Sequence, residues 1–344
     1  MLARAIATIR QPIARLRKSL TTRGLILMYH RIGEPDMDPW SLRVTPAQFS
    51  EHLQILRQQT HPMSLHQLAR AHRTGNIPER ACVVTFDDGY ANNFYLAKPL
   101  LEAQDIPATV FVTTGYADWS REFWWDELEQ ILLRPGILPP TLELEIDGIF
   151  HQWHLTQAAD YGEADYRRDR SIEALAAVPG SRLAFYRQVW QALQPLAAAE
   201  RQQHLDSLQN WAQVQSLLRP SHRPMTVAEL NALEAGGLVT VGAHTVHHPL
   251  LSHQTTAQQR TEICESKSFL EDALGHEVST FAYPFGVYDK RTPELLQDAG
   301  FDCACSTVEE TVWHRSDRFQ LPRFAVRGCS GETFERQLFE WLRQ

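Results

Sequence analysis

Short apolar segments alternate along this chain with stretches that have the periodicity of amphipathic helices. The apolar segment 81–86 is followed by a helical pattern over 93–104 and then by a second apolar segment at 107–113. Continuous apolar runs of this kind are typical of strands that are buried on both faces. A strand, a helix and a strand in this order predict a parallel βαβ unit and therefore an α/β fold.

The same alternation recurs on both sides of a long interruption. Further strands are predicted at 25–30, 238–243, 278–283, 301–306 and 321–326, and helices at 45–56, 64–72, 226–235, 256–274, 292–299 and from 333 onward. Roughly seven mostly parallel strands separated by helices predict a distorted (β/α)7-type barrel. The interruption is predicted to be a large, mainly helical insertion, with a β-hairpin at 141–155 around an Asp-Gly pair.

Four segments are predicted from this pattern. Residues 1–22 form a basic leader or amphipathic segment, 23–115 the first part of the barrel, 116–225 the tryptophan-rich insertion, and 226–344 the second part of the barrel. The leader has no long apolar core and no small-residue cleavage site, so it does not resemble a secretory signal. It could lie on an anionic membrane surface or be a solvated tail.

Composition excludes some classes of function. The formal net charge of −8 over 344 residues argues against non-specific nucleic-acid binding. The five cysteines are odd in number and show no Cys-x-x-Cys spacing, which favours buried free thiols and a reducing compartment. We therefore expect a cytoplasmic protein, with peripheral membrane contact through the leader left open, and no stretch reaches the ~18 apolar residues of a membrane span.

Polar or turn-forming residues follow four of the predicted strands. They are His30, the pair Asp87 and Asp88, His244, and the segment 284–286 (Pro-Phe-Gly). In a parallel barrel the carboxyl ends of the strands meet at one rim, which is where such barrels carry their active sites. The sequence therefore predicts a functional site at that rim.

Asp87 and Asp88 are adjacent carboxylates that precede Gly89. Two such carboxylates at a buried strand end repel each other unless a cation or a proton lies between them. One can bind a metal ion while the other acts on water. The alternative is a solvated Asp-Asp-Gly turn.

His244 and His248 have the spacing of two residues on one face of a helical turn. If a helical turn starts at His244, both imidazoles reach one ion, and His247 points elsewhere. Two histidines and one aspartate suit zinc and neighbouring divalent metals and leave positions open for water and substrate. The alternative is a pair of hydrogen-bonded structural histidines.

Three motifs in this order resemble those of the polysaccharide deacetylases, the NodB-homology carbohydrate esterases related to chitooligosaccharide deacetylase. They are 85–89 (Thr-Phe-Asp-Asp-Gly), 244–248 (His-Thr-Val-His-His) and 281–286 (Phe-Ala-Tyr-Pro-Phe-Gly). The resemblance spans about 25–115 and 226–330. It implies a divalent metal, Zn²⁺ first with Co²⁺, Ni²⁺ or Fe²⁺ as alternatives.

The resemblance also implies a role for each site residue. Asp88, His244 and His248 would be the metal ligands, and Asp87 the general base. The backbone N–H of Phe285 would help to hold the oxyanion, with Tyr283 and Pro284 beside the substrate.

Two further roles come from departures from the usual family pattern. No late Leu-x-His motif is present to supply a general acid, but the Tyr-His end of the first strand is similar to the branch that acts on poly-N-acetylglucosamine-type exopolysaccharides. His30 is therefore predicted to be the acid, the alternative being a structural histidine. Ala282 stands where many members have an arginine that pairs with the base. Arg323 could supply that charge, or could form an unrelated ion pair.

The predicted function is removal of N-acetyl groups from amino sugars of a polysaccharide, oligosaccharide or glycolipid precursor. The partner implied is an N-acetylated glycan, and the oligomeric state is left open. Two alternatives remain, a non-catalytic glycan-binding or scaffold protein of a polysaccharide assembly system, and a deacylase of another N-acyl or O-acetyl substrate.

Overall fold

A computed structural model describes residues 22–34, 36–117, 120–215 and 217–344. The strands are β1 (Gly24–Tyr29), β2 (Arg31–Ile32), β3 (Arg43–Val44), β4 (His61–Pro62), β5 (Ala81–Phe86), β6 (Ala108–Val112), β7 (Gly136–Ile137), β8 (Thr141–Ile146), β9 (Ile149–His154), β10 (Asp160–Tyr161), β11 (Val239–Ala243), β12 (Thr280–Ala282), β13 (Cys303–Cys305) and β14 (Phe324–Ala325). The α-helices are α1 (Pro46–Gln59), α2 (Leu65–Thr74), α3 (Lys98–Gln104), α4 (Trp124–Leu132), α5 (Glu163–Asp169), α6 (Arg182–Leu193), α7 (Ala198–Ala212), α8 (Val227–Glu234), α9 (Thr256–Leu274), α10 (Thr292–Asp298) and α11 (Gly331–Leu342).

The main sheet is parallel and curls into a distorted barrel. Its strand order is β13-β12-β11-β6-β5-β1-β14, and β4 pairs with β5 beside this path. Leu321, just before β14, forms a parallel bridge with Cys305 at the end of β13, so the two edges of the sheet approach each other. The predicted fold class, a (β/α)7-type barrel, is confirmed.

Side chains of the buried strands pack on both faces of this sheet. Leu25 and Leu27 of β1 belong to the core beneath the surrounding helices, whereas Ile26 belongs to a second cluster that contains Phe111 and Cys303. This two-sided burial explains why the strands appear in the sequence as unbroken apolar runs.

Local capping signals fix several helix ends. Thr45 caps α1 together with Gln48, and Thr226 caps α8 with Glu229, each as a reciprocal capping box. Helix α9 spans the predicted residues and ends at Gly275, whose φ of 76° is the left-handed conformation that glycine adopts without a steric penalty.

The insertion packs as a unit of its own against one rim of the barrel. The hairpin predicted at 141–155 forms as β8 and β9, with Leu142, Leu144 and Ile146 on its buried face. These residues share a core with helices α4, α6 and α7 and with Tyr90 from the barrel. The boundaries predicted for the insertion stay a prediction.

Two sequence predictions fall partly outside the described residues. The basic leader at 1–22 lies outside them except for Thr22, and Trp119 of the insertion also lies outside. Within the described ranges, no helix has the length and apolar character needed to cross a membrane.

Candidate metal centre and active site

Asp87 and Asp88 lie where β5 ends at the rim, and the backbone there turns sharply. Asp88 has a φ of 74° and Gly89 a φ of 85°. A Cβ on Gly89 would lie 3.2 Å from the backbone of Val112, so both the turn and the close approach to β6 require glycine. The turn directs two consecutive carboxylates into the site although neighbouring side chains on a strand point to opposite faces.

Three side chains from distant parts of the chain converge on one point. The Nε2 atoms of His244 and His248 lie 3.6 Å and 3.4 Å from the same Asp88 carboxylate oxygen. These separations are long for hydrogen bonds. Two ligands bound to one zinc ion at ~2.1 Å and at the tetrahedral angle would lie about 3.4 Å apart. The geometry therefore fits three atoms that share an ion.

The turn that carries the two histidines is not helical, contrary to the expectation from their spacing. Thr245 and His248 have φ values of 66° and 54°, so the segment is an irregular turn with two left-handed residues. The Thr245 hydroxyl accepts a hydrogen bond from the His248 N–H at 3.0 Å, which stabilises this turn. His247 points away and contacts Glu262, as expected for a residue that does not bind the ion.

The charge states around this point fit a divalent cation. Burial raises the pKa of Asp88, and the neighbouring Asp87 raises it further. Burial lowers the pKa of His244 to about 4, and burial and His244 lower that of His248, so both imidazoles are neutral at pH 7. Nδ1 of His244 contacts the Ala282 carbonyl at 2.8 Å, which leaves Nε2 free to bind metal.

Asp87 is held by Arg323, as one of the two sequence hypotheses for that arginine predicted. The two terminal nitrogens of Arg323 donate to the two Asp87 oxygens, each at 2.7 Å, and Arg323 also contacts the Thr85 hydroxyl and the Ser306 carbonyl. Burial alone would raise the pKa of Asp87, but Arg323 lowers it to about 2. Asp87 is therefore ionised and fixed in orientation at neutral pH.

His30 follows β1 and interacts electrostatically with Asp87 and Arg323. It is half-buried, and Asn93 holds its backbone carbonyl with a 2.9 Å hydrogen bond. Burial lowers the pKa of His30, whereas Asp87 raises it and Arg323 lowers it. Its position beside Asp87 is compatible with proton transfer at this site.

Aromatic rings form one wall of the site. The rings of Phe285 and Trp125 lie 4.4 Å and 4.8 Å from the His248 ring, and Trp190 contacts Phe285 at 5.9 Å. Phe285 itself has a φ of 56°. No local pattern in the sequence indicates which tryptophan of the insertion reaches His248.

The third motif, residues 281–286, presents few of its side chains to the site. The Tyr283 side chain is fully buried, and its hydroxyl donates to the Phe319 carbonyl at 2.7 Å, so it faces the protein core. The hydroxyl of Tyr283 is thus engaged within the core, and the placement of this residue beside the substrate stays a prediction. Pro284 is also buried, which leaves Phe285 as the part of the motif that is open to the site.

A second group of metal-binding side chains, Asp126, Glu129 and His222, lies nearby. Arg31 contacts the Asp126 carboxylate at 3.3 Å, and Arg219 contacts the Glu129 carboxylate at 2.9 Å. Each carboxylate thus already has a positive partner, and we interpret this group as an ion-pair network. Asp88 differs because no described arginine or lysine is within ion-pair distance of it.

Comparison with known proteins gives a family-model match and partial sequence relatives. The sequence model of the polysaccharide deacetylase family matches residues 74–137 and 208–304. The match includes residues 116–137 and 208–225 at the two ends of the predicted insertion, and it omits 138–207. The chain is 33% identical over 84 residues to the poly-β-1,6-N-acetyl-D-glucosamine N-deacetylase of Escherichia coli K12, which covers 24% of this chain and 12% of that protein.

Two solved structures share the fold over nearly their whole length. A deacetylase of Streptococcus pyogenes, PplD, has a TM-score of 0.58 at 18% identity, over 92% of this chain and 99% of that one. IcaB of Ammonifex degensii has a TM-score of 0.54 at 17% identity, over 94% of this chain and 98% of that one.

The fold and the three motifs place the protein in a class, the curled parallel barrels with a candidate metal-binding group at the carboxyl rim. Within that class the chain resembles the polysaccharide deacetylase family, whose sequence model matches residues 74–137 and 208–304. The chain spans only 35% and 12% of the lengths of the curated relatives that it matches.

Proposed function

We propose that the protein is a metal-dependent hydrolase that removes N-acetyl groups from amino sugars in a glycan. The observation that carries this proposal is the convergence of Asp88, His244 and His248 beside the separate, arginine-held carboxylate of Asp87. One carboxylate with two neutral imidazoles can bind a cation, and the second carboxylate remains free to take a proton. Metal-assisted hydrolysis of an amide uses both functions.

Zn²⁺ is the metal that this donor set fits best. Two imidazole nitrogens and one carboxylate oxygen suit zinc, and Co²⁺, Ni²⁺ and Fe²⁺ accept the same donors. When bound, such an ion acidifies water and polarises the acetamide carbonyl. Asp88, His244 and His248 would hold it and leave positions open toward the aromatic wall.

Asp87 would take the proton from the attacking water. The water oxygen bonds to the carbonyl carbon of the acetamide, and the proton passes to the Asp87 carboxylate. A pKa of about 2 makes Asp87 a weak base, so it can serve only where the water is unusually acidic. Arg323 keeps the carboxylate ionised and prevents its rotation.

The remaining two roles fall to His30 and Phe285. As negative charge develops on the carbonyl oxygen, the backbone N–H of Phe285 would donate to it, which is the kind of contact that contributes most to catalysis of acyl transfer. The bond between carbon and nitrogen then breaks, and His30 gives a proton to the departing amine. Acetate and a free amino sugar are the products.

The substrate class rests on two observations. The partly exposed ring of Phe285 beside His248 offers an apolar face on which a sugar ring can stack. The Escherichia coli relative is named as a deacetylase of poly-β-1,6-N-acetyl-D-glucosamine. We therefore propose an N-acetylhexosamine polymer or oligomer as substrate, with β-1,6-linked N-acetylglucosamine tested first.

The experiment measures acetate release from β-1,6- and β-1,4-linked N-acetylglucosamine oligomers, with metal and with a chelator. We expect release that depends on metal, and a loss of ~10²-fold or more in Asp87→Asn with metal content unchanged. The Asp87→Asn protein is the matched control for a metal site that remains intact. Binding of oligomers without acetate release by the metal-loaded wild type would contradict the proposal.

The location of the protein in the cell, contact of the leader with a membrane, the absence of nucleic-acid binding and the oligomeric state stay predictions from the sequence.

A further inference from the structure

The turn from His244 to His248 is held from the barrel side by Glu262 of α9. One Glu262 oxygen accepts hydrogen bonds from the backbone N–H groups of Val246 and His247 at 2.8 Å and 2.9 Å, and the other oxygen contacts the His247 ring at 2.8 Å. Because the turn contains two left-handed residues, its conformation needs such external contacts. Glu262 fixes its amide groups.

The same turn is held from the opposite side by Arg201 of α7. A terminal nitrogen of Arg201 donates to the His247 carbonyl at 3.0 Å, and the guanidinium lies 4.8 Å from the centre of the Trp124 ring. Arg201 is 1% exposed, and among the described residues no carboxylate is within ion-pair distance of it. Burying a cation of this kind costs free energy unless hydrogen bonds compensate for its lost hydration.

These contacts join the insertion to the proposed metal ligand. The N–H of His247 is bound by a carboxylate, and its C=O, which leads directly to His248, is bound by a guanidinium. The two peptide planes that flank His247, the second of which leads to His248, are thereby fixed in direction. Residue 201 lies in the segment that the family match omits, whereas Glu262 and the histidine turn lie within the match.

We propose that Arg201 is a positioning residue through which the insertion fixes the His248 ligand, so that affinity for the metal depends on this contact. The inference rests on the metal site of the proposed function. Residues that orient metal ligands typically change metal affinity by about 10- to 100-fold when they are replaced. We expect a weakening in that range for Arg201→Met and an intermediate affinity for Arg201→Lys, which keeps the charge but loses the planar fork.

Arg182 of α6 provides a matched control within the same insertion. It is 2% exposed, lies 5.2 Å from the centre of the Tyr161 ring and donates only to backbone carbonyls, including those of Leu132 and Ala158. None of its acceptors belongs to the histidine turn. Arg182→Met therefore removes a comparable buried cation without touching the metal site.

The experiment measures the Zn²⁺ dissociation constant of the full chain by competition with a chromophoric chelator, and the thermal midpoint of each chelator-treated protein. We expect Arg201→Met to bind Zn²⁺ at least tenfold more weakly than wild type. Arg182→Met should bind Zn²⁺ with wild-type affinity, even if its thermal midpoint falls as much as that of Arg201→Met. The visible spectrum of the Co²⁺-loaded protein should also change in Arg201→Met alone.

Wild-type affinity in Arg201→Met, or an equal weakening in both methionine variants, would overturn the inference while leaving the proposed function intact. Failure of the wild type to bind Zn²⁺ would instead overturn the proposed function. If a methionine variant does not fold, the lysine variants at 201 and 182 carry the same comparison.

Discussion

Replacement of Arg323 by methionine isolates the interaction that holds the proposed base. Arg323 is 0% exposed and binds both oxygens of Asp87 at 2.7 Å. Without the guanidinium, the Asp87 carboxylate is buried with no partner. Breaking a buried pair by removing one member typically costs about 3–5 kcal/mol, so Arg323→Met should lower the free energy of unfolding by that amount at pH 7.

The pH dependence follows from the direction of the shift. Burial would raise the pKa of Asp87, but Arg323 lowers it from the ordinary 3.8 to about 2. A carboxyl group with a lowered pKa in the folded state stabilises the protein above its unfolded pKa, and this stability is lost as the pH falls. At about 1.4 kcal/mol per unit of pKa, the lowered pKa of Asp87 contributes roughly 2 kcal/mol to the free energy of unfolding. Wild type should lose this contribution between about pH 4 and pH 2.

The assay is urea unfolding of chelator-treated wild type, Arg323→Met, Asp87→Asn and the double variant. Removal of both members should cost less than removal of Arg323 alone, because no charge is then left buried without a partner. A loss below 1 kcal/mol in Arg323→Met, or a double variant less stable than Arg323→Met, would refute the assignment of a stabilising pair.

Two further predictions test individual residues of the site. His244→Ala should lose metal and turnover together, because Asp88 and His248 alone offer two donors; elemental analysis showing unchanged metal would contradict this. Tyr283→Phe should leave acetate release unchanged while lowering the free energy of unfolding by about 1–3 kcal/mol, because the Phe319 carbonyl loses its buried donor. A large fall in turnover at unchanged stability would contradict this and indicate that the Tyr283 hydroxyl acts on the substrate.

The fold was predictable because its signals are local. Apolar runs such as 81–86 mark strands that are buried on both faces, and Thr45, Thr226 and Gly275 mark helix ends through contacts within a few residues. The polar residues at the rim could be recognised because the parallel arrangement brings the ends of the strands together.

The details of the site depend on contacts between distant residues. Arg323 lies 236 positions from Asp87, and Arg201 lies 46 positions from His247, so only the fold shows that they meet. The spacing of His244 and His248 correctly indicated that their side chains converge. It also predicted a helical turn, whereas the backbone forms an irregular turn. Glu262 and Arg201 hold the turn between the left-handed residues Thr245 and His248 through Val246 and His247, and no local preference encodes those contacts.

The most direct test of the shared ion is anomalous X-ray scattering at the zinc absorption edge from a crystal of the Zn²⁺-loaded protein. One strong peak is expected, ~2.0–2.2 Å from an Asp88 oxygen and from Nε2 of both His244 and His248, with Asp87 bound to Arg323 instead. A peak between Asp126, Glu129 and His222, or no peak at saturating zinc, would contradict the assignment.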